Sequence, residues 1–493
     1  MADMVASVAT APAPAPAATP KPDDQVIVLF GGSGDLAARK LLPGLFHLMT
    51  EGLMPERFRV VGCSRNAMSD EQFRAFARDA VERFGRVAPE GRSWQQFAEL
   101  LSYVGTGEGL GELAEQVERE KQEAGGQSWL LHYLAVPPAA SAGIVEEIGA
   151  LGLNKRARVI MEKPFGTDLE SARKLNATVH KVFGESHVFR IDHFLGKEAV
   201  QNILALRFAN GMFEPVWNRN HIDHVQIDVP ETLSIGSRAA FYEGTGAYRD
   251  MVVTHLFQVL GFAAMEPPTS LQARPLVSEK TKVFDSMHSL QPADVVRGQY
   301  EGYRREPGVD PRSDTETFVA VRVYVDNWRW AGVPFFLRTG KCMPESTQLL
   351  TIAFRQPPRR MFPIDSRFTA ESFGSDHLSF DLGDPGKISS SFLAKVPGPA
   401  MQLGEAHMTF DYARAFGGPS HALEGYERLL HDVMIGDRML FTTAEGIERL
   451  WEISMPVLEH PPPVLPYQPA TWGPEAIDDL IAPRRWHLPG DHI

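Results

Sequence analysis

The stretch DQVIVLFGGSGDL, residues 24–36, decides the fold. Its apolar run, VIVLF at 26–30, reads as a short strand buried on both faces, and the glycines after it read as a tight turn. GGSGDLA at 31–37 has the spacing G-x-x-G-x-x-A rather than the usual G-x-G-x-x-G. Glycine there permits positive φ and lets a backbone approach a pyrophosphate at a helix N-terminus. Such turns are common after strands, so the motif alone is equally a plain turn and a phosphate cradle. Its place at the first strand-to-helix turn of a series favours the cradle.

That series runs outward along the chain. RVVG at 59–62 reads as a second strand, and residues 69–84 have helical periodicity with Ser69 as N-cap. Next come strand-like WLLHYLAVPP, helical SAGIVEEIGALG, strand-like ARVIMEKPFG and a helix over 167–184 that opens with a Thr167–Glu170 capping-box spacing. Strand-like HVFRIDHF ends the series. Strands alternating with helices predict a Rossmann-like, doubly wound parallel sheet, an α/β unit. Beyond about residue 196, HVQIDVPE, ETFVAVRVYVDNW, VPFFLRTGK, LLTIAFR, HLSFDLG and MTFDY are strand candidates with few helices between them. They predict an α+β unit built on a large, mainly antiparallel sheet. Helices flank it, notably at 247–266 and around 426–437. The expected organisation is a disordered Ala/Pro-rich tail (1–24), a dinucleotide-binding domain (25–195) and a substrate and oligomerisation β+α domain (196–493).

Composition narrows the class. The 493 residues are 43% hydrophobic and 23% charged, as in globular proteins, and a formal charge of −13 opposes non-specific nucleic-acid binding. A local basic pocket for an anionic small molecule is compatible with that charge. Two cysteines, Cys63 and Cys342, in so long a chain fit a reducing compartment. With neither a long apolar run nor a signal-peptide pattern, the expected location is the cytoplasm, away from membranes.

Four further features carry chemistry. The second strand ends Gly62-Cys63-Ser64-Arg65, with a basic group where NAD sites usually hold an acidic one; that favours NADP, and a merely exposed Arg is the alternative. In EKPFG, Lys163 precedes Pro164 and so leaves the helical region, either aiming its ammonium into a crevice or lying on a surface loop. On the helix from Ala247, Asp250, Thr254 and Gln258 recur every four residues as a polar stripe, with His255 one position off it. A lone His there is ordinarily a satisfied core residue, but the stripe suggests a helix facing a wet cleft. Finally, RIDHFLGKEAVQNIL at 190–204 crowds charges onto a strand-to-helix junction between the two units, where ligands tend to bind.

Taken in order, GGSGDLA, EKPFG, RIDHFLGKE and the Asp250…His255 helix resemble the glucose-6-phosphate dehydrogenase family. The resemblance implies oxidation of β-D-glucose 6-phosphate to 6-phosphoglucono-δ-lactone, the first oxidative step of the pentose phosphate pathway, with NADP⁺ as hydride acceptor and no metal. It implies His255 as general base and Asp192 as the carboxylate that holds it. It makes His193 and Lys197 ligands of the 6-phosphate, with Glu231, Asp250, Lys163 and Lys341 at the sugar. It gives the cofactor Gly31, Gly32, Ser33, Gly34, Asp35, Leu36, Lys40, Arg65, Tyr133 and Lys163, implies a cis Lys163–Pro164 bond, and implies a homodimer or homotetramer. Two residues depart from the family pattern: Phe194 stands where Tyr is usual, and Ser346 where a basic residue is common. A dehydrogenase of another aldose 6-phosphate, one using NAD equally, or a non-catalytic sensor remain the alternatives.

Overall fold

A computed structural model describes residues 20–107, 109–359, 361–362, 376–383, 386–416 and 423–487. Most of the expected tail lies outside them. The first sheet comprises β1 (Gln25–Phe30), β2 (Phe58–Ser64), β3 (Leu101–Gly105), β4 (Trp129–Leu134), β5 (Ala157–Met161) and β6 (Val188–Arg190). All pairings are parallel, in the order β3-β2-β1-β4-β5-β6. Every residue of β1 is buried, as a central strand covered by helices on both faces requires. The order reverses between β1 and β4, so a crevice opens at their carboxyl ends. Gly31 sits there with φ +78°, and a Cβ on it would lie 2.2 Å from the Ala135 carbonyl oxygen just past β4. Gly31→Ala is therefore expected to destabilise the protein by more than about 1 kcal/mol, because both space and conformation forbid the methyl. Chemical denaturation of the two proteins measures it, and equal midpoints would refute the close approach.

The second sheet joins β7 (Ile222–Pro230), β8 (Val295–Tyr300), β9 (Phe318–Tyr324), β10 (Pro334–Gly340), β11 (Leu349–Phe354), β12 (His377–Asp381), β13 (Lys387–Lys395), β14 (Leu403–Asp411) and β15 (Val464–Tyr467). Its order is β14-β13-β12-β11-β7-β10-β9-β8-β15; β7–β10 and β8–β15 pair in parallel and the other neighbours antiparallel. The pattern-derived strands fall in this sheet, whereas β8, β13 and β15 escape the pattern. β13 is polar and only partly buried, and β15 carries Pro466, tolerated because it lies on an edge.

Local signals at helix starts act as expected at Ser69, whose side chain accepts from the Gln72 N–H while Gln72 returns the bond. The Thr167–Glu170 box does not form. Asp168 is the cap, and its carboxylate accepts from the Ser171 N–H at 2.7 Å, a stronger acceptor one position along. The helix Gly425–Ile435, far along the chain, packs on the helix Leu42–Thr50 beside the first sheet. Gln25 and Arg158 both donate to the Met434 carbonyl at its end, at 2.7 Å each. This return of the chain brings late residues to the crevice.

Candidate active site

β6 ends at Arg190, and the next turn delivers Asp192 and His193 to the gap between the sheets. Arg190 is itself structural: buried, it donates to Glu185 and Asn176. From the other side comes a wide, π-helical segment, Tyr248–Leu256, preceded by a break at Gly246 (φ +66°). Wide helical turns are frequent at functional sites. Here it brings His255 against Asp192, and Nδ1–H donates to Asp192 Oδ1 at 2.6 Å with both side chains buried. The opposite ring nitrogen, Nε2, accepts from the Lys163 ammonium at 2.7 Å. Lys163 also donates to Asp250 Oδ1 at 2.7 Å, and its bond to Pro164 is cis.

The electrostatics match that tautomer. Burial holds His255 below its ordinary pKa, and the nearby Lys163 charge adds to this while Asp192 opposes it. Burial pushes the Asp192 carboxyl up, but the attraction His255 exerts whenever it is protonated, together with the hydrogen bonds from His255 Nδ1–H and the Phe194 N–H, outweighs it and leaves Asp192 below the usual range. At neutral pH the pair is thus a carboxylate and a neutral imidazole with a lone pair at Nε2. Asp192, His193 and His255 lie within 4.8 Å of one another, a metal-like spacing. The donor set does not suit a cation, because the Lys163 ammonium already occupies the approach to Nε2.

Around this pair the remaining candidates form two groups. Lys341 is ion-paired to Glu231, and its charge reaches Asp250, so the Lys341–Glu231 and Lys163–Asp250 pairs bracket one polar space. His193 and Lys197 form the other. Burial pushes His193 down to about 3, with Lys197 and Lys163 among the contributing charges, while Lys197 meets the Gln348 side-chain oxygen. The Lys197 ammonium and a neutral His193 ring N–H, held side by side in this corner, suit an anion.

Several partners were not legible as motifs. Tyr426, on the returning helix, stacks on His193 with ring centroids 6.0 Å apart. Glu162 accepts from the Tyr133 hydroxyl at 2.5 Å and from Tyr426, and burial raises its carboxyl to about 7. Tyr133 itself is fully buried near the carboxyl end of β4, beside β1, with its hydroxyl on Glu162. Phe194 is also buried; its ring stacks on His255 at 4.5 Å, lies edge-on to His193 at 5.1 Å and carries the Lys197 ammonium over its face at 4.6 Å, so it packs the anion corner without offering a hydroxyl. Ser346 accepts from the Thr232 N–H at 2.9 Å and so closes the turn after β7.

The crevice at β1 fits a dinucleotide. The N–H groups of Gly31 and Gly32 both donate to the Cys63 carbonyl (2.8 and 3.0 Å), which pins the turn against β2. Helical backbone begins at Asp35, so the first amides of the helix adjoin the turn. Asp35 is paired with Arg39, and Lys40 with Glu424 at 2.9 Å. Arg65 is exposed just past β2, and beside this strand end Ser33, Ser64 and Tyr103 form a hydroxyl cluster (Ser33–Ser64 3.1 Å, Ser64–Tyr103 2.6 Å). A guanidinium beside hydroxyls, with no acidic residue at the end of the second strand itself, suits a 2′-phosphate.

A parallel sheet with a glycine turn at its switch point, facing a buried carboxylate–imidazole pair, defines a dinucleotide-dependent dehydrogenase. Family comparison then separates it from the rest of that class. The profile described as "Glucose-6-phosphate dehydrogenase, NAD binding domain" matches residues 28–202, and "Glucose-6-phosphate dehydrogenase, C-terminal domain" matches 204–487. The chain belongs to the glucose-6-phosphate dehydrogenase family. It is 39% identical to glucose-6-phosphate 1-dehydrogenase 2 of Mycobacterium tuberculosis, covering 94% of each chain. It is 40% identical to the glucose-6-phosphate 1-dehydrogenase of Rhizobium meliloti, over 92% of this chain and 95% of that one. Among solved structures, the Mycobacterium avium glucose-6-phosphate 1-dehydrogenase superposes with TM-score 0.82 at 35% identity, covering 94% of this chain and 99% of that one. A glucose-6-phosphate dehydrogenase in complex with glucose 6-phosphate gives 0.86 at 29%, over 96% and 100%.

Proposed function

We propose that this protein oxidises β-D-glucose 6-phosphate at C1 to 6-phosphoglucono-δ-lactone, with NADP⁺ as acceptor. The observation that carries the reading is the His255 imidazole, fixed at Nδ1 by Asp192 and offering Nε2 to the polar space between Lys163 and Asp250. NADP⁺, when bound, supplies the acceptor for the C1 hydride. The chain's own residues do the rest. The substrate C1 hydroxyl replaces the Lys163 ammonium at Nε2, and Nε2 takes its proton. Asp192 stabilises the resulting imidazolium. Lys163, released from Nε2 and still held by Asp250, stands between the sugar and the cofactor. His193 and Lys197 hold the 6-phosphate; Glu231, Asp250 and Lys341 hold sugar hydroxyls. Gly31, Gly32, Ser33, Gly34, Asp35, Leu36, Lys40, Arg65 and Tyr133 hold the cofactor, with Lys163 at its nicotinamide end.

Residues 25–195 are the cofactor unit in this reading and residues 196–493 the substrate and oligomerisation unit. A homodimer or homotetramer in the cytoplasm is proposed, supported by exposed apolar side chains such as Met408 and Phe410 on the outer strand β14. Among the described residues no helix is long and apolar enough to cross a membrane.

Following reduced-cofactor absorbance with glucose 6-phosphate and NADP⁺ tests the activity directly; absence of turnover would refute it. Repeating the assay with NAD⁺ and other hexose phosphates tests specificity. Arg65→Asp is expected to raise the KM for NADP⁺ on the order of 10²-fold and to change that for NAD⁺ far less, since only the former carries the opposed phosphate. Equal changes would remove Arg65 from 2′-phosphate recognition.

A further inference from the structure

The polar stripe Asp250–Thr254–Gln258 ends inside the molecule. Thr254 turns its hydroxyl back to the Asp250 carbonyl at 2.8 Å, while Gln258 is buried. Behind the His255–Asp192 pair lies a small cavity lined by Asp192, Thr254, Gln258, Thr442, Phe165 and Trp451 among others. It offers about 10 Å³ to the centre of a water molecule, which is room for one. Two oxygens of its lining residues, Asp192 Oδ2 and Gln258 Oε1, are buried without a hydrogen-bond partner. Leaving both unmet would cost the desolvation of each group. Gln258 Nε2 donates to the Thr442 hydroxyl at 3.3 Å, which leaves the hydroxyl proton available. One water there would satisfy all three groups by donating to Asp192 Oδ2 and Gln258 Oε1 and accepting from Thr442. Thr442 is also fixed, because its backbone forms an antiparallel bridge with Arg190, two residues before Asp192.

We propose that Gln258 and Thr442, acting through one buried water, are positioning residues for the base: they solvate Asp192 Oδ2 so that Oδ1 alone meets the His255 ring. The inference deepens the reading of His255 as the base and rests on it. A donor on Oδ2 draws charge from the carboxylate and moderates its hold on the imidazolium. Removing it makes Asp192 a stronger acceptor, so His255 titrates at higher pH. The titratable groups facing His255 are Asp192, Lys163, Asp250 and His193, and those facing Asp192 also include Glu162, Lys280 and Tyr426. None of these is altered by substitution at 258 or 442.

The test compares Gln258→Leu and the isosteric Thr442→Val with Thr442→Ser, which keeps the hydroxyl. The ¹⁵N-imidazole signal of His255, identified by its loss in His255→Asn, is titrated by NMR in the free protein. In Gln258→Leu and Thr442→Val the titration midpoint is expected to rise by roughly half to one pH unit, and Thr442→Ser is expected to restore it. In turnover, the acid limb of the kcat profile moves up with it and plateau kcat falls about tenfold, while the KM for glucose 6-phosphate stays within about twofold. A midpoint and acid limb unchanged in folded Gln258→Leu, or a change confined to KM and melting temperature, would overturn the proposal. Should Gln258→Leu fail to fold, Thr442→Val decides in the same way. Wild-type protein without sugar-phosphate turnover would overturn the functional reading, and the NMR titration would still decide the positioning.

Discussion

His255→Asn is expected to lower kcat about 10²–10⁴-fold and to leave the KM for glucose 6-phosphate within a few-fold. The asymmetry follows from the geometry. An asparagine amide can still donate to Asp192, so the buried carboxylate keeps a partner and the fold is not left with an orphan charge. It places no basic lone pair where Nε2 stands, so nothing accepts the C1 proton. Binding groups lie elsewhere: Lys163 loses its Nε2 contact yet remains bonded to Asp250, and Lys341 remains with Glu231. Steady-state kinetics with both substrates, plus a binding measurement on the inactive variant, separates chemistry from affinity. Turnover equal to wild type would remove His255 from the mechanism, and lost binding with intact kcat would make it a ligand instead of a base.

What the chain discloses about itself depends on how local the physics is. β1 and the glycine turn are legible because a buried central strand is a continuous apolar run and the turn demands small residues at fixed spacing. The partly solvated β13 and the proline-bearing β15 lack such a signature, since their pairing is imposed by neighbours far along the chain. In the site, the stripe periodicity on the His255 helix is legible, but not the surface it faces. Gln258 turns out to face a closed cavity and not a wet cleft. Tyr426, Gln348, Ser64 and Tyr103 are single residues without a motif, brought in by the returning helix, the second sheet and neighbouring strands. Asp192 and His255 are 63 positions apart, and nothing in either segment names the other; family resemblance joined them, and the 2.6 Å bond is the tertiary fact behind it.

Asp192→Asn should cost kcat on the order of 10²–10⁴-fold although it changes little in shape. The carboxylate accepts from two N–H groups at Oδ1, those of His255 Nδ1 and of the Phe194 backbone. An amide that keeps its oxygen toward Phe194 must turn its NH₂ elsewhere. An amide that turns its NH₂ toward His255 forces Nδ1 to accept and moves the ring proton to Nε2. That nitrogen then faces the Lys163 ammonium as a donor, two donors at a site now 2.7 Å wide, and offers no lone pair to the sugar hydroxyl. Loss of the Asp192 charge also removes the chief attraction that holds the His255 pKa up against burial and Lys163, so the residual base is weaker. The sign is definite: the His255 titration midpoint falls, and the acid limb of whatever activity remains moves to lower pH, opposite to the shift expected for Gln258→Leu. A folded Asp192→Asn protein with wild-type kcat, or with an acid limb displaced upward, would show that the carboxylate neither sets the tautomer nor supports the imidazolium.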